Sequence, residues 1–351
     1  MTEDKGILIK NVYYMLSYAF QELKRNNFED IQGEDFENIE DLFAEILVRG
    51  VSYQLKQGLH RTYIEKSETL PTLRGRIDMA KTVRNYSVGK RRLHCEYDEC
   101  SANNLFNQII KTTLLILLKS PDVKTLRKNQ IRQVVRYLSD VEEIDIRQIH
   151  WSSLRFDRNT RVYRMLLFLC KFVIDKKLLT TETGSVRMAT FSDDNMNRLF
   201  EKFVLEYYRR KFPELNPTAR QVDWDIVTEE SSLEILPLMK TDIFLSNGVR
   251  TLIIDTKYYG NSMQTQFDKA TIRNSHIYQV HSYITNYDKE HKGDTDGMLL
   301  YAETMNDVQP SGQMKFRDGK TIYFRTLNLN KDFKSIESQL KGFTHQLILE
   351  P

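Results

Sequence analysis

A short stretch of the last third of the chain has the residue types and spacing to do chemistry. It reads PLMKTDIFLSNGVRTLIIDTKYY over residues 237–259. Asp242 opens one apolar run, and Asp255 and Lys257 close the next. Asn247-Gly248 between them is a turn signal. Residues two apart on a strand share a face, so Asp255 and Lys257 lie side by side, and a hairpin brings Asp242 next to them. Two carboxylates and one ammonium would thus converge at the end of a sheet. Mg²⁺ takes one or two such carboxylates and keeps several waters. A cation held there can lower the pKa of a water and offset the charge of a phosphodiester. An ammonium beside it can orient that water or stabilise the transition state. The chemistry that fits is metal-dependent phosphodiester hydrolysis, with Asp242 and Asp255 as metal ligands and Lys257 as the catalytic cation. An Asp-x-Lys tripeptide alone is common. Here an upstream Asp accompanies it, and Gln279 and Tyr283 follow, four apart on one face of a helix predicted over 273–288.

The elements that must position these residues fall in two halves. Helices are predicted over 10–25, 38–58, 103–119, 122–140 and 160–177 from apolar residues at three- and four-residue steps. Short strands are expected at 61–65, 73–78 and 92–97. The stretch 178–195 is polar, Thr-rich and unpatterned, and a domain boundary is placed there, with residues 1–180 before it and 181–351 after. A helix over 195–212, capped by Asp193-Asp194, then leads to strands at 220–227, 233–238, 240–246 and 250–257. Beyond the 273–288 helix come a strand at 297–302, a hairpin turning at Asp318-Gly319, and a last helix over 331–348. The fold class is an α+β N-terminal domain followed by an α/β domain.

Composition limits the alternatives. The 351 residues are 40% hydrophobic and 28% charged, with 14 Gly and 7 Pro, which excludes collagen-like, Pro-rich and linker-like chains. No window approaches the roughly 20 apolar residues of a membrane span. The start of the chain lacks a small-residue cleavage site. Cys95, Cys100 and Cys170 are odd in number and clustered, so a reducing cytoplasm fits better than a disulfide framework. His94-Cys95-x4-Cys100 lacks a fourth ligand for zinc. Without a Gly-x4-Gly-Lys-Ser/Thr loop, any nucleotide-driven step belongs to a partner. The net charge of +3 permits a local nucleic-acid patch without demanding one. Arg74, Arg76, Arg84, Arg91 and Arg92 make the strand region of the first half basic. Lys124, Arg127, Lys128, Arg132 and Arg136 do the same for one helix.

The order Asp, Asp-x-Lys, Gln-x3-Tyr resembles the PD-(D/E)xK nuclease superfamily, although Thr241 rather than proline precedes Asp242. That resemblance implies a restriction-endonuclease-like α/β domain and often a glutamate on its first core helix, for which Glu201 and Glu206 are the candidates, Glu201 the better placed. More of the chain is similar to one family. Ile9–Ala19 (IKNVYYMLSYA), Leu73–Asp78 (LRGRID), Asn107–Leu114 (NQIIKTTL) and Leu252–Tyr259 (LIIDTKYY) resemble segments of the McrC family, from residue 9 to about 330. The resemblance implies a Mg²⁺-dependent DNA endonuclease subunit of a GTP-driven, modified-cytosine-dependent restriction complex. It implies a partner, a McrB-like AAA+ GTPase ring that reads the modified base and uses the GTP. The N-terminal half would dock in that ring and stimulate GTP hydrolysis, and two nuclease domains would act together on DNA. Two other readings stand beside it. One is a non-catalytic activator of the ring, and the other is a stand-alone DNA-repair nuclease.

Overall fold

The computed structural model describes residues 3–4, 7–24, 36, 38–181, 185–227, 233–258, 264–266, 269–290, 292–303 and 309–348, with the side chains of 178–193 outside that description. In chain order the elements are β1 (Glu3–Asp4), β2 (Ile7–Leu8), α1 (Ile9–Ala19), α2 (Ile39–Gln57), β3 (Thr62–Leu70), β4 (Arg76–Ile77), α3 (Met79–Ser87), β5 (Leu93–Ser101), α4 (Leu105–Lys119), α5 (Thr125–Arg136), α6 (Arg161–Thr181), α7 (Ser185–Lys211), β6 (Gln221–Val222), β7 (Met239–Lys240), β8 (Ile243–Ser246), β9 (Thr251–Lys257), β10 (Gln264–Gln266), β11 (Lys269–Thr271), α8 (Asn274–Tyr287), β12 (Thr295–Ala302), β13 (Gly312–Lys315), β14 (Thr321–Leu327), α9 (Phe333–Phe343) and α10 (His345–Ile348).

The chain divides into two compact units. One joins Met1–Leu42 to Asp175–Pro351, and the other is Phe43–Ile174. This differs from a single cut near residue 180. The reason lies in α1, whose apolar stripe packs on the helices of the C-terminal half. Tyr18 meets the rings of Phe203, Tyr207 and Phe333. Asn11 donates to the backbone oxygens of Leu329 and Lys331 at 2.7 and 2.8 Å, and Arg210 donates to those of Ser17 and Tyr18. Ring pairs of this kind add about 1 kcal/mol each beyond their buried area. The stretch 178–195 also departs from expectation. Its described backbone belongs to α6 and α7; α7 begins at Ser185 rather than 195, so Asp193 and Asp194 lie within a helix and do not cap one.

The larger unit holds a five-stranded sheet in the order β13-β14-β12-β9-β8. β12 runs parallel to both β9 and β14, while β8 and β13 are antiparallel to their neighbours. β9 and β12 are buried along their whole length, as strands covered on both faces must be. Parallel pairing of β9 and β12 requires a crossover, and α8 supplies it. α8 comes close at Gly297 of β12, where a Cβ would lie 2.3 Å from Val280 Cγ1. The β8–β9 hairpin turns at Gly248, whose φ of +91° suits glycine. Asn247 Oδ1 accepts there from the backbone N–H groups of Val249 and Arg250. Residues 233–235 form a 3-10 turn where a strand was expected.

The smaller unit packs α4, α5 and the parts of α2 and α6 it contains around Ile46, Leu47, Ile109, Leu114, Ile131 and Leu166, all fully buried. A three-stranded antiparallel sheet, β3-β5-β4, extends the unit, with α3 inserted between β4 and β5. One buried side chain ties the roots of β3 and β5 together. Asn107 Nδ2 donates to the backbone oxygens of His60 (2.9 Å) and Ala102 (2.7 Å), and Asn107 Oδ1 accepts from Tyr163 Oη. The basic helix α5 is not uniformly exposed. Arg127 turns inward to Glu45 at 2.8 Å, leaving Lys124, Arg132 and Arg136 exposed.

Candidate active site

β8 and β9 pair with Ile243 opposite Ile254. One step further along the same register, Asp242 meets Asp255. Asp242 is held by β9 itself: its Oδ2 accepts from the backbone N–H of Thr256 at 2.7 Å and from Thr256 Oγ1 at 2.8 Å. Asp255 is completely buried. Lys257 Nζ lies 2.5 Å from Asp255 Oδ2, yet neither Asp255 oxygen has a hydrogen-bond partner of good geometry. Lys257 is itself held, donating to Gln279 Oε1 at 3.1 Å. Gln279 Nε2 donates to Tyr283 Oη at 2.8 Å, and Tyr283 donates to the Lys240 backbone oxygen at 3.0 Å. A continuous chain thus runs from Asp255 through Lys257, Gln279 and Tyr283 to β7. The structure brings these five residues together as their spacing predicts.

Glu201 approaches from α7, which packs on β8 and β9. Burial first, then the Asp242 carboxylate, push it up to about 7. Glu206 is elsewhere: its Oε1 pairs with Arg209 one turn on. The choice between the two glutamates therefore falls on Glu201. Burial and then Asp242 likewise push Asp255 up to about 7, with the Lys257 ammonium opposing them. Glu201 and Asp255, each disfavoured as an anion by burial and by the Asp242 charge, are what a bound divalent cation would relieve. Asp255 Oδ1 is buried with no hydrogen-bond partner, which costs about 1–3 kcal/mol. Both observations fit a cation. Among the described residues no group of three or more His, Cys, Asp and Glu side chains forms a cage of its own.

Two residues near the site escape a reading of the sequence. Asn197 lies one turn before Glu201 on α7, and its Oδ1 accepts from the Tyr258 N–H at 2.8 Å, just past Lys257. The i, i+4 spacing from Glu201 was the available signal. His276 is buried against Tyr301. His94 has partners other than a metal, with Ser67 and Thr69 hydroxyls each 3.0 Å from its ring nitrogens. Cys170 sits in the core, where burial pushes its thiol up to about 12.

The fold and this cluster define an α/β protein with a carboxylate–lysine centre at the edge of a mixed sheet. The sequence model of the family described as "McrBC 5-methylcytosine restriction system component" matches residues 3–302, and the chain belongs to that family. A curated relative, the type IV methyl-directed restriction enzyme EcoKMcrBC of Escherichia coli K12, is 29% identical over 344 residues, covering 96% of this chain and 97% of its own. Among solved structures, a chain of the refined half-complex from the tetradecameric assembly of Thermococcus gammatolerans McrB AAA+ hexamers with bound McrC shares the fold. Its TM-score is 0.53 at 16% identity, covering 96% of this chain and 76% of that one.

Proposed function

We propose that this chain is the Mg²⁺-dependent DNA endonuclease subunit of a modified-cytosine restriction complex, in a restriction-endonuclease-like domain of the PD-(D/E)xK type. The observation that carries the reading is the buried Asp242–Asp255–Lys257 cluster, in which Asp255 has the Lys257 ammonium beside one oxygen and no hydrogen-bond partner on the other, in a chain of a restriction-system family. Asp242 and Asp255 would hold the cation. Bound Mg²⁺ supplies positive charge to a phosphodiester and makes a neighbouring water more acidic. Lys257 orients that water or stabilises charge building on the phosphoryl oxygens. Gln279 holds the ammonium in place, and Tyr283 anchors Gln279 to β7. Glu201, held near 7, can take up a proton at neutral pH.

The partner would be a McrB-like AAA+ ring that hydrolyses GTP. The fold neighbour is solved bound to McrB hexamers, and that supports the reading. The smaller unit, with its β3-β5-β4 sheet as an arm, would stimulate GTP hydrolysis, and two nuclease domains would act together for a double-strand break. The site of action is the cytoplasm, and among the described residues no helix is long and apolar enough to cross a membrane. The test incubates supercoiled plasmid carrying 5-methylcytosine with the full chain, the ring partner, GTP and Mg²⁺. Linear product with Mg²⁺ and none with EDTA is the expected result. An active ring with intact plasmid in Mg²⁺ refutes the reading.

A further inference from the structure

α8 turns one polar stripe toward the sheet. His276, Gln279 and Tyr283 follow one another at three- and four-residue steps, so they share a face. Each reaches a different strand. Gln279 meets Lys257 of β9, and Tyr283 meets the backbone of Lys240 in β7. His276, in the first turn, meets β12: its Nδ1 lies 2.9 Å from Tyr301 Oη. The two rings are 6.0 Å apart at 39°. Both residues are buried, Tyr301 completely. Tyr301 is also the register partner of Lys257 across the β9–β12 pairing. The anchor of the helix therefore sits beside the lysine that the same helix holds one turn later.

The chemistry of the pair suits that place. A tyrosine hydroxyl can donate to an unprotonated imidazole nitrogen. Burial, then the charges of Lys257 and Arg273, hold His276 down to about 4, so the ring is neutral at physiological pH. A neutral acceptor satisfies the buried hydroxyl without setting a second cation against Lys257. An apolar pair would fill the same volume but leave the helix free to slide. The close approach of α8 at Gly297 sets its height over β12, and the His276–Tyr301 contact adds a directional bond in the first turn of the helix.

We propose that His276 and Tyr301 are positioning residues, whose hydrogen bond fixes α8 along β12 and so sets where Gln279 meets Lys257. The proposal rests on the nuclease reading above. Misplacement of a catalytic group by about 1 Å costs roughly 100-fold in rate. With the full chain, ring partner, GTP and Mg²⁺, His276→Ala and Tyr301→Phe should each slow single-turnover cutting about 10- to 100-fold. DNA affinity and stimulation of GTP turnover should stay unchanged. The double variant should be no slower than the worse single one, because both remove the same contact. His276→Asn places an acceptor oxygen where Nδ1 stands and should recover most of the rate. Wild-type cutting by either single variant, or additive losses in the double, overturns the proposal.

A second measurement does not depend on cutting. In long-range ¹H–¹⁵N spectra, His276 should be the Nε2–H tautomer with an accepting Nδ1, unchanged from pH 5 to 8, and Tyr301→Phe should move the Nδ1 signal. A His276 that titrates near its ordinary 6.5 overturns the proposal whether or not the protein cuts. A wild-type chain that never cuts while His276 behaves as expected overturns the nuclease reading instead.

Discussion

Asp255→Asn should make the metal-free protein more stable while destroying its activity. An aspartate normally titrates near 3.8, and in this fold Asp255 is pushed up to about 7. At 1.36 kcal/mol per decade, ionising it in the native state costs about 4 kcal/mol once pH exceeds 7. The sign follows from the direction of the shift. The native state holds the proton more tightly than the unfolded chain, so the wild type loses stability as pH rises from about 4 to about 7 and stays low above that. Asparagine is nearly isosteric and carries no charge. Its amide is not fully paired in this pocket either, which returns about 1–3 kcal/mol. The net gain at pH 8 should be on the order of 2 kcal/mol, or roughly 4 °C in Tm. Thermal unfolding in EDTA from pH 5.5 to 8 measures it. The gain should shrink toward pH 5.5, and saturating Mg²⁺ should reverse it by stabilising only the wild type. A variant that melts below the wild type at pH 8 in EDTA, or a difference independent of pH, refutes the assignment of Asp255 as an unsatisfied, repelled carboxylate.

Two further outcomes follow from the same geometry. Mg²⁺ affinity of the full chain should rise between pH 6 and 8, because Asp255, held near 7, must release its proton to bind it; calorimetric titration at several pH values would show a flat profile if this is wrong. Asn107→Ala should destabilise the smaller unit by roughly 2–4 kcal/mol, since it removes three buried hydrogen bonds at once, although the His60 oxygen keeps Asn104 Nδ2 and the Tyr163 hydroxyl keeps the His60 N–H. Urea unfolding measures that loss, and a change below about 1 kcal/mol contradicts the clamp.

The proximity of the candidate residues was readable from the sequence because it is local. Asp242, Asp255 and Lys257 sit on one hairpin, where a turn signal and the two-residue period of a strand fix who faces whom. Gln279 and Tyr283 needed only the helical period. Asn197 and His276 were missed because their partners, Tyr258 and Tyr301, lie far away in sequence or at a strand end. Pattern tells which face of a helix is apolar, not which polar residue on that face finds a buried partner. The division of the chain was misplaced for the same reason. The stripe of α1 announces a buried helix, but that it is buried against α7 and α9 depends on contacts some 190 to 320 residues apart. The polar texture of 178–195 suggested a link, yet most of its described backbone is helical.

The most direct test of the account removes one carboxylate and watches two activities in a single preparation. The full chain carrying Asp255→Ala is mixed with the ring partner, GTP, Mg²⁺ and methylated DNA, and both DNA cutting and GTP turnover are followed. Cutting should be abolished while GTP turnover is stimulated as by the wild type, since Asp255 lies in the sheet of the larger unit and the arm proposed to act on the ring belongs to the smaller. Cutting at the wild-type rate by this variant would contradict the assignment of the active site.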